Sequence, residues 1–292
     1  MSTVRRLTAL LPGRGDLAAM RLQPGRDVLA GSMVALVALP LALGFGVSSG
    51  LGAAAGITTA IVAGALAAVF GGSNLQVSGP TGAMTVVLVP IVAEFGADGV
   101  LVVGLLAGLM LLALAASGAG RFIRYLPVPV VEGFTIGIAV IIALQQLPSA
   151  LGVDVHAERV LQLAWRACVA WAESPHWEAP VLAVAVVVFM LGLTRVRLLP
   201  SALAAVVLAT VGAAVLGLDV STVGELPSGL SAPSLPTIPF GQLDALLLPA
   251  IAVAALAALE SLLSATVADA MSVDQRHDPD RELFGQGIAN LV

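Results

Sequence analysis

One short segment of this 292-residue chain combines a helix-starting signal with residues that can surround an anion. Residues 76–86 read Gln-Val-Ser-Gly-Pro-Thr-Gly-Ala-Met-Thr-Val and lie at the start of an apolar run. Proline suits the first position of a helix, and serine or glycine suits the position just before it. We therefore predict that a helix begins at Pro80 and that residues 73–79 are extended.

A helix that begins in this way would present a positive end without any basic side chain. Its first N–H groups would have no partner within the helix, and the helix dipole would add to their attraction for an anion. The glycines of the segment let a ligand approach the backbone closely. A simple proline kink in a continuous helix is the alternative interpretation. The anion site that we predict consists of Ser78, Gly79, Thr81, Gly82 and Ala83.

A second candidate site lies in a later apolar run, where Glu260 is followed by Ser264 one helical turn further on. An ionised carboxylate within a bilayer costs at least about 2.5–3.5 kcal/mol unless it is paired, and such residues usually face a transport pathway. A carboxylate beside a hydroxyl can bind Na⁺, or hold a proton whose release accompanies transport. We predict that Glu260 and Ser264 form a cation-coupling site. The alternative is a protonated Glu260 that only hydrogen-bonds to a neighbouring helix.

Helices within a membrane must position these residues. Hydrophobic residues make up 59% of the chain and charged residues 11%, whereas a soluble domain carries about 25% charged residues. The apolar runs are about 20 residues long, which is the length that crosses a hydrocarbon core of about 30 Å. We predict an all-α, multi-pass membrane protein. Its spans are expected at about 27–48, 51–70, 77–95, 98–117, 126–149, 179–197, 198–218 and 243–270.

The arginines predict the orientation of these spans. All 13 basic residues are arginines, and 11 of them lie in the amino-terminal segment or in loops on the same side of the membrane. Cytoplasmic loops are enriched in basic residues. We therefore predict a protein of the inner membrane with a cytoplasmic amino terminus, in which residues 1–26 form a cytoplasmic segment and residues 27–292 a transmembrane domain.

The residue types within the predicted spans indicate that the protein is not an enzyme. The single cysteine, Cys168, excludes a disulfide framework or a cysteine-based metal cluster. No metal-ligand cluster, Ser/His pair or paired aspartates occurs within the predicted spans. We expect no cofactor beyond a coupling Na⁺ or H⁺, and the expected partners are a small anion and the lipid bilayer rather than a nucleic acid.

Several stretches of the sequence resemble the SulP (sulfate permease) family of anion transporters, especially its bacterial bicarbonate branch. The first helix resembles the family at Ala38 to Gly46, the third at Ser78-Gly-Pro-Thr-Gly82 and the fifth at Val131-Glu-Gly-Phe-Thr-Ile-Gly137. The last part of the chain resembles it at Leu259-Glu-Ser-Leu-Leu-Ser264, and from Glu282-Leu to Gln286-Gly-Ile-Ala-Asn290. These stretches occur in the order of the family along nearly the whole chain.

The resemblance implies a fold and a mechanism. The family fold consists of two inverted seven-helix repeats, in which a core domain and a gate domain move as an elevator. An anion binds between the half-helices of the third and tenth spans, and a carboxylate on the eighth helps to bind a coupling cation. The resemblance assigns these roles to the two sites predicted above and adds Phe45, on the first helix, to the anion pocket. It implies a secondary active transporter of sulfate or bicarbonate, driven by H⁺ or Na⁺ and dimeric at full length.

Three other interpretations stay open, namely an anion channel, a dicarboxylate transporter and an inactive fragment of a transporter. A channel would use the same helix terminus but would not need a buried carboxylate. The sodium-coupled bicarbonate branch tends to have aspartate where this chain has Glu260, which favours proton coupling. The sequence ends at Val292, where a ninth span would begin. We therefore expect the first repeat plus the eighth helix, without the tenth helix and without a STAS domain.

Overall fold

The computed structural model of this protein describes residues 10–13, 15–16, 18, 21–79, 81–125, 128–157, 159–193, 201–222, 243–272 and 276–292. Within these ranges the regular secondary structure is entirely helical. The helices are α1 (Pro24–Ser48), α2 (Ala53–Phe70), α3 (Gly82–Ser117), α4 (Val128–Gln145), α5 (Leu147–Leu151), α6 (Val160–Glu173), α7 (Glu178–Leu193), α8 (Ser201–Leu216), α9 (Leu243–Ala270) and α10 (Pro279–Leu291). A 3₁₀ turn, Gly120–Tyr125, follows α3.

Four of the described helices, α1, α2, α3 and α9, are long and apolar enough to cross a membrane, and the apolar helices of α7 and α8 are shorter. Many large apolar side chains on these helices are exposed, including Leu29, Ile61, Leu109, Val184 and Leu248. An exposed apolar surface of this extent suits contact with lipid rather than with water. The chain is a multi-pass membrane protein, and the number of its helices that cross the bilayer stays a prediction.

Helix α3 contains two of the predicted spans, which meet at a kink. Gly96 has φ of 68° and ψ of −167°, a backbone conformation that glycine adopts readily because it has no Cβ. The predicted start at Pro80 lies outside the described residues, and the described helix begins at Gly82. From Gly82 to the kink the helix is about 20 Å long at about 1.5 Å per residue. That length is less than the hydrocarbon core of about 30 Å.

Glycines allow α10 to pack closely against α2 and α3. A Cβ on Gly285 would lie 2.6 Å from the Cα of Gly71, and a Cβ on Gly108 would lie 2.9 Å from the carbonyl oxygen of Gly287. Small residues let helix backbones approach in this way. The apolar core lies mainly between α3 and α9 and includes Val103, Leu111, Leu246 and Leu283. This packing brings the start of α3, the middle of α9 and the start of α10 together.

The amino-terminal segment contacts the start of α10. The Nη1 atom of Arg281 lies 3.0 Å from Oδ2 of Asp16, and the same oxygen accepts a hydrogen bond from the N–H of Gly13 at 2.7 Å. The hydrogen bond from Arg281 lowers the pKa of Asp16 below its ordinary value. Leu10 is buried against the core. Leu10 and Asp16 of the amino-terminal segment therefore contact the helical part of the molecule.

Because α1 and α2 cross closely, alanine substitutions at two glycines of α1 should differ in their effect on thermal stability. A Cβ on Gly46 would lie 2.9 Å from the Cα of Gly56, whereas nothing lies within 4 Å of a Cβ on Gly44. We expect Gly46→Ala to lower the Tm by roughly 3–8 °C, because overpacking costs about 1–3 kcal/mol. Gly44→Ala should leave the Tm unchanged or raise it, because alanine favours a helix by about 1 kcal/mol over glycine. Thermal unfolding in detergent measures both, and equal Tm values would contradict the close crossing.

Candidate functional site

Thr81 forms the amino-terminal cap of α3. Its backbone is extended, with φ of −125° and ψ of 154°, and its Oγ1 accepts a hydrogen bond from the N–H of Met84 at 3.4 Å. Threonine is favoured at this position because its hydroxyl satisfies one of the N–H groups that have no partner within the helix. The first N–H groups of α3 and its positive dipole end therefore lie at Thr81, Gly82 and Ala83, where the sequence predicted an anion site.

The hydroxyl of Thr81 also connects the two predicted sites. It donates a hydrogen bond to Oε2 of Glu260, with an O···O distance of 2.9 Å. A hydroxyl carries one donor and two acceptor lone pairs, so Thr81 can cap α3 and bind the carboxylate at the same time. Glu260 lies on α9 and is partly buried. A change of charge on Glu260 would therefore act on the residue that caps α3.

Two apolar side chains from other helices cover Gly82. A Cβ on Gly82 would lie 3.2 Å from Cε1 of Phe45, on α1, and 2.5 Å from Cδ1 of Ile142, on α4. Any larger residue at Gly82 would collide with them. The structure thus brings Phe45 to the helix terminus, although its contact with an anion stays a prediction. Ile142 was not identified from the sequence, because one isoleucine within an apolar run carries no signal of its position.

The remaining predicted residues lie in different surroundings. Ala83 is buried and lines an apolar groove of about 300 Å³ between α3 and α9. Gly79 is exposed, and nothing lies within 4 Å of a Cβ placed on it. Ser264 is exposed as well, and across the described residues the hydroxyl bonded to Glu260 is that of Thr81. A cation role for Ser264 stays a prediction.

A third polar cluster, centred on Glu282 of α10, lies beside these sites. Glu282 is only 3% exposed, and burial of a carboxylate is costly unless its oxygens are hydrogen-bonded. Among the described residues, its carboxylate accepts five hydrogen bonds, from Gly72 N at 2.9 Å, Ser73 N at 3.2 Å, Gln76 Nε2 at 3.3 Å, Ser261 Oγ at 2.6 Å and Gln286 Nε2 at 3.3 Å. In the sequence, Glu282 was recognisable only as part of a family motif, without a predicted role.

Ser78 belongs to this third cluster. Its Oγ accepts a hydrogen bond from Nε2 of Gln286, and it therefore has a partner on α10. A signal for the cluster was present in the sequence. Glu282 and Gln286 are four residues apart, which places them on one face of a helix. That spacing could have identified a polar face on α10, but not its partners from the segment after α2.

Comparison with known proteins confirms the resemblance. Residues 25–292 match the Sulfate permease family. YvdB of Bacillus subtilis (strain 168), named provisionally as a sulfate transporter, is 36% identical over 274 residues, which cover 91% of this chain and 52% of that protein. The bicarbonate transporter BicA of Picosynechococcus sp. is 30% identical over 279 residues, covering 91% of this chain and 49% of that protein. The chain thus spans about half the length of the curated relatives it matches.

Solved structures show the same fold. The transmembrane domain of a cyanobacterial bicarbonate transporter BicA matches with a TM-score of 0.81 and 31% identity, over 93% of this chain and 72% of that chain. The murine Slc26a9 anion transporter in its inward-facing state matches with a TM-score of 0.76 and 17% identity, over 91% of this chain and 49% of that chain. The second similarity shows a shared fold alone. With a family match from residue 25 to residue 292, this chain belongs to the sulfate permease family.

Proposed function

We propose that the full-length protein is a cation-coupled secondary transporter of a small inorganic anion of the sulfate or bicarbonate class. The observation that carries this proposal is the hydrogen bond from Thr81 Oγ1 to Glu260 Oε2. Thr81 also caps a helix terminus that favours an anion. One hydroxyl thus contacts both the predicted anion site and the predicted coupling carboxylate. The relatives named as sulfate and bicarbonate transporters support a transporter of this class rather than an enzyme.

The contact between Thr81 and Glu260 supplies a physical basis for coupling. Two like unit charges about 6 Å apart repel each other by roughly 3 kcal/mol at an effective dielectric constant of about 20. An ionised Glu260 near the anion position would therefore weaken anion binding by about 100-fold. A proton or Na⁺ on Glu260 removes this repulsion, and by linkage the anion strengthens cation binding by the same factor.

The transport cycle that we propose follows the elevator movement implied by the family. Phe45 and Ile142, which cover Gly82 from α1 and α4, would move relative to each other as the site opens.

The protein would lie in the inner membrane with its amino terminus in the cytoplasm, which the distribution of arginines supports. At full length it would form a homodimer.

An uptake panel tests the substrate class. Proteoliposomes that contain the full-length protein should accumulate sulfate or bicarbonate, well above protein-free vesicles, when an inward H⁺ or Na⁺ gradient is imposed. Competition by unlabelled sulfate, bicarbonate and a small dicarboxylate then identifies the preferred anion. Anion flux that is indifferent to both gradients would favour a channel, and preference for the dicarboxylate would overturn the inorganic class.

A further inference from the structure

Glu282 connects the parts of the molecule that surround the start of α3. Its Oε2 accepts hydrogen bonds from the N–H groups of Gly72 and Ser73, which follow α2. Its Oε1 accepts the hydroxyl hydrogen of Ser261, on α9. Ser261 directly follows Glu260 in the chain, so this contact also restricts the rotation of α9 at the proposed coupling carboxylate.

The backbone at Gly72 lies directly on the start of α10. The N–H of Asp278, the amino-terminal cap of α10, donates to the carbonyl oxygen of Gly72 at 3.0 Å. A Cβ on Gly72 would lie 2.0 Å from the carbonyl oxygen of Asp278, so the two backbones are as close as glycine allows. Together with the bonds to Glu282, this contact determines where residues 72–73 lie relative to α10.

Side chains continue the contact towards α3. Gln76 Nε2 donates to both Glu282 Oε1 and Ser261 Oγ, each at 3.3 Å. Ser78 follows and is bonded to Gln286. Residues 71–79 form neither helix nor strand, so no regular backbone hydrogen bonding holds this segment in place. Its position depends on these contacts to α9 and α10.

We propose that Glu282 is a positioning residue that holds residues 72–78 against α9 and α10 and thereby sets where the start of α3 meets the anion. The second part of this proposal rests on the proposed function. Hydrogen bonds to an ionised acceptor are roughly twice as strong as those between neutral groups. Loss of the charge would therefore loosen the segment, and a displacement of about 1 Å at a binding site is enough to impair it.

Hydrogen exchange tests the first part without any transport. In the full-length protein, Glu282→Gln should speed exchange of the amides of Gly72 and Ser73 by about tenfold or more, because their acceptor loses its charge. Asp280→Asn is the matched control. Asp280 is a carboxylate in the same first turn of α10, but it accepts the N–H of Gly120 at 2.9 Å. The control should speed exchange at Gly120 and leave residues 72–73 unchanged.

Two outcomes of the exchange experiment would overturn the proposal. One is unchanged exchange at residues 72–73 in Glu282→Gln, and the other is an equal increase there in Asp280→Asn. Should Glu282→Gln fail to fold, Ser261→Ala removes only one of the five donors to the carboxylate. It should still speed exchange at residues 72–73, by a smaller factor. Unchanged exchange in this variant would also overturn the proposal.

Anion uptake tests the second part. Glu282→Gln should raise the KM for the transported anion by about tenfold, with little change in the maximal rate per folded transporter. A merely structural role would lower the amount of folded protein at constant KM. The double variant Glu282→Gln/Thr81→Val should raise the KM by less than the product of the two factors measured for the single variants. The effects are not independent because both changes act on one helix terminus.

The two proposals fail in different ways. If the wild-type protein moves no anion under any gradient, the proposed function is wrong and the KM effect of Glu282 falls with it. Hydrogen exchange still decides whether Glu282 holds residues 72–78. If the wild type transports but the KM factors of Glu282→Gln and Thr81→Val simply multiply, the positioning role is overturned while the transport function stands.

Discussion

Glu260→Gln should abolish the dependence of anion uptake on the H⁺ or Na⁺ gradient. Glutamine has the size of glutamate and can still accept the hydrogen bond of Thr81, which the structure gives as 2.9 Å. It carries no charge, however, and it neither takes up a proton nor attracts Na⁺ as a carboxylate does. The variant would therefore resemble a protein whose cation is permanently bound. We expect anion exchange across the membrane to persist, while uptake with and without the gradient becomes equal.

The matched control for Glu260→Gln is Glu94→Gln. Glu94 is a carboxylate on another apolar helix, α3, but its side chain is exposed. Its neutralisation changes the net charge by the same amount without touching the proposed site. Proteoliposome uptake at several imposed gradients measures both variants. Gradient dependence that survives Glu260→Gln at wild-type strength would exclude Glu260 as the coupling residue, whatever the transported anion is.

Apolar run length was sufficient to predict α1 to α4 and α7 to α9, but it did not predict α6 and α10. In lipid, a backbone must satisfy its own hydrogen bonds, so a run of about 20 apolar residues becomes a helix almost regardless of its details. The ends of the helices were harder to predict, as α3 shows. Pro80 was predicted to begin the helix, but Thr81 is the cap and Gly82 the first helical residue. Both residue types suit a helix start, and the sequence offered no local feature to choose between them.

Long-range contacts within the site could not be predicted from the sequence. Helical periodicity placed Ser264 beside Glu260 because the two are four residues apart. The structure instead bonds Glu260 to Thr81, which is 179 residues away along the chain. Glu282 accepts from Gly72 across 210 residues. Such pairs depend on how α2, α3, α9 and α10 pack. The pattern of residues does not reveal which glycines of α10, α2 and α3 meet, or which apolar side chains of α3 and α9 face each other.

Thr81→Val should weaken anion binding strongly, although threonine and valine side chains have nearly the same shape. Valine fills nearly the same volume, but it removes the hydroxyl that accepts from Met84 N and donates to Glu260. Loss of an N-cap costs about 1 kcal/mol, and loss of the hydrogen bond to Glu260, whose charge is neutralised when the anion binds in the proposed cycle, costs about 0.5–1.5 kcal/mol. We expect the KM for the anion to rise by about 10- to 100-fold, whereas Thr81→Ser should stay close to the wild type because it retains the hydroxyl.

The control for a lost threonine hydroxyl is Thr266→Val. Thr266 donates to the carbonyl oxygen of Leu262 in its own helix, at 2.7 Å. The KM of the Thr266→Val variant should not change.

The decisive measurement combines Thr81→Val with Glu260→Gln. If Thr81 influences cation coupling through its bond to Glu260, the two effects should interact by about 0.5 kcal/mol or more. Strictly additive effects would show that the hydroxyl supports only the helix terminus, and coupling would then need a route that does not pass through Thr81.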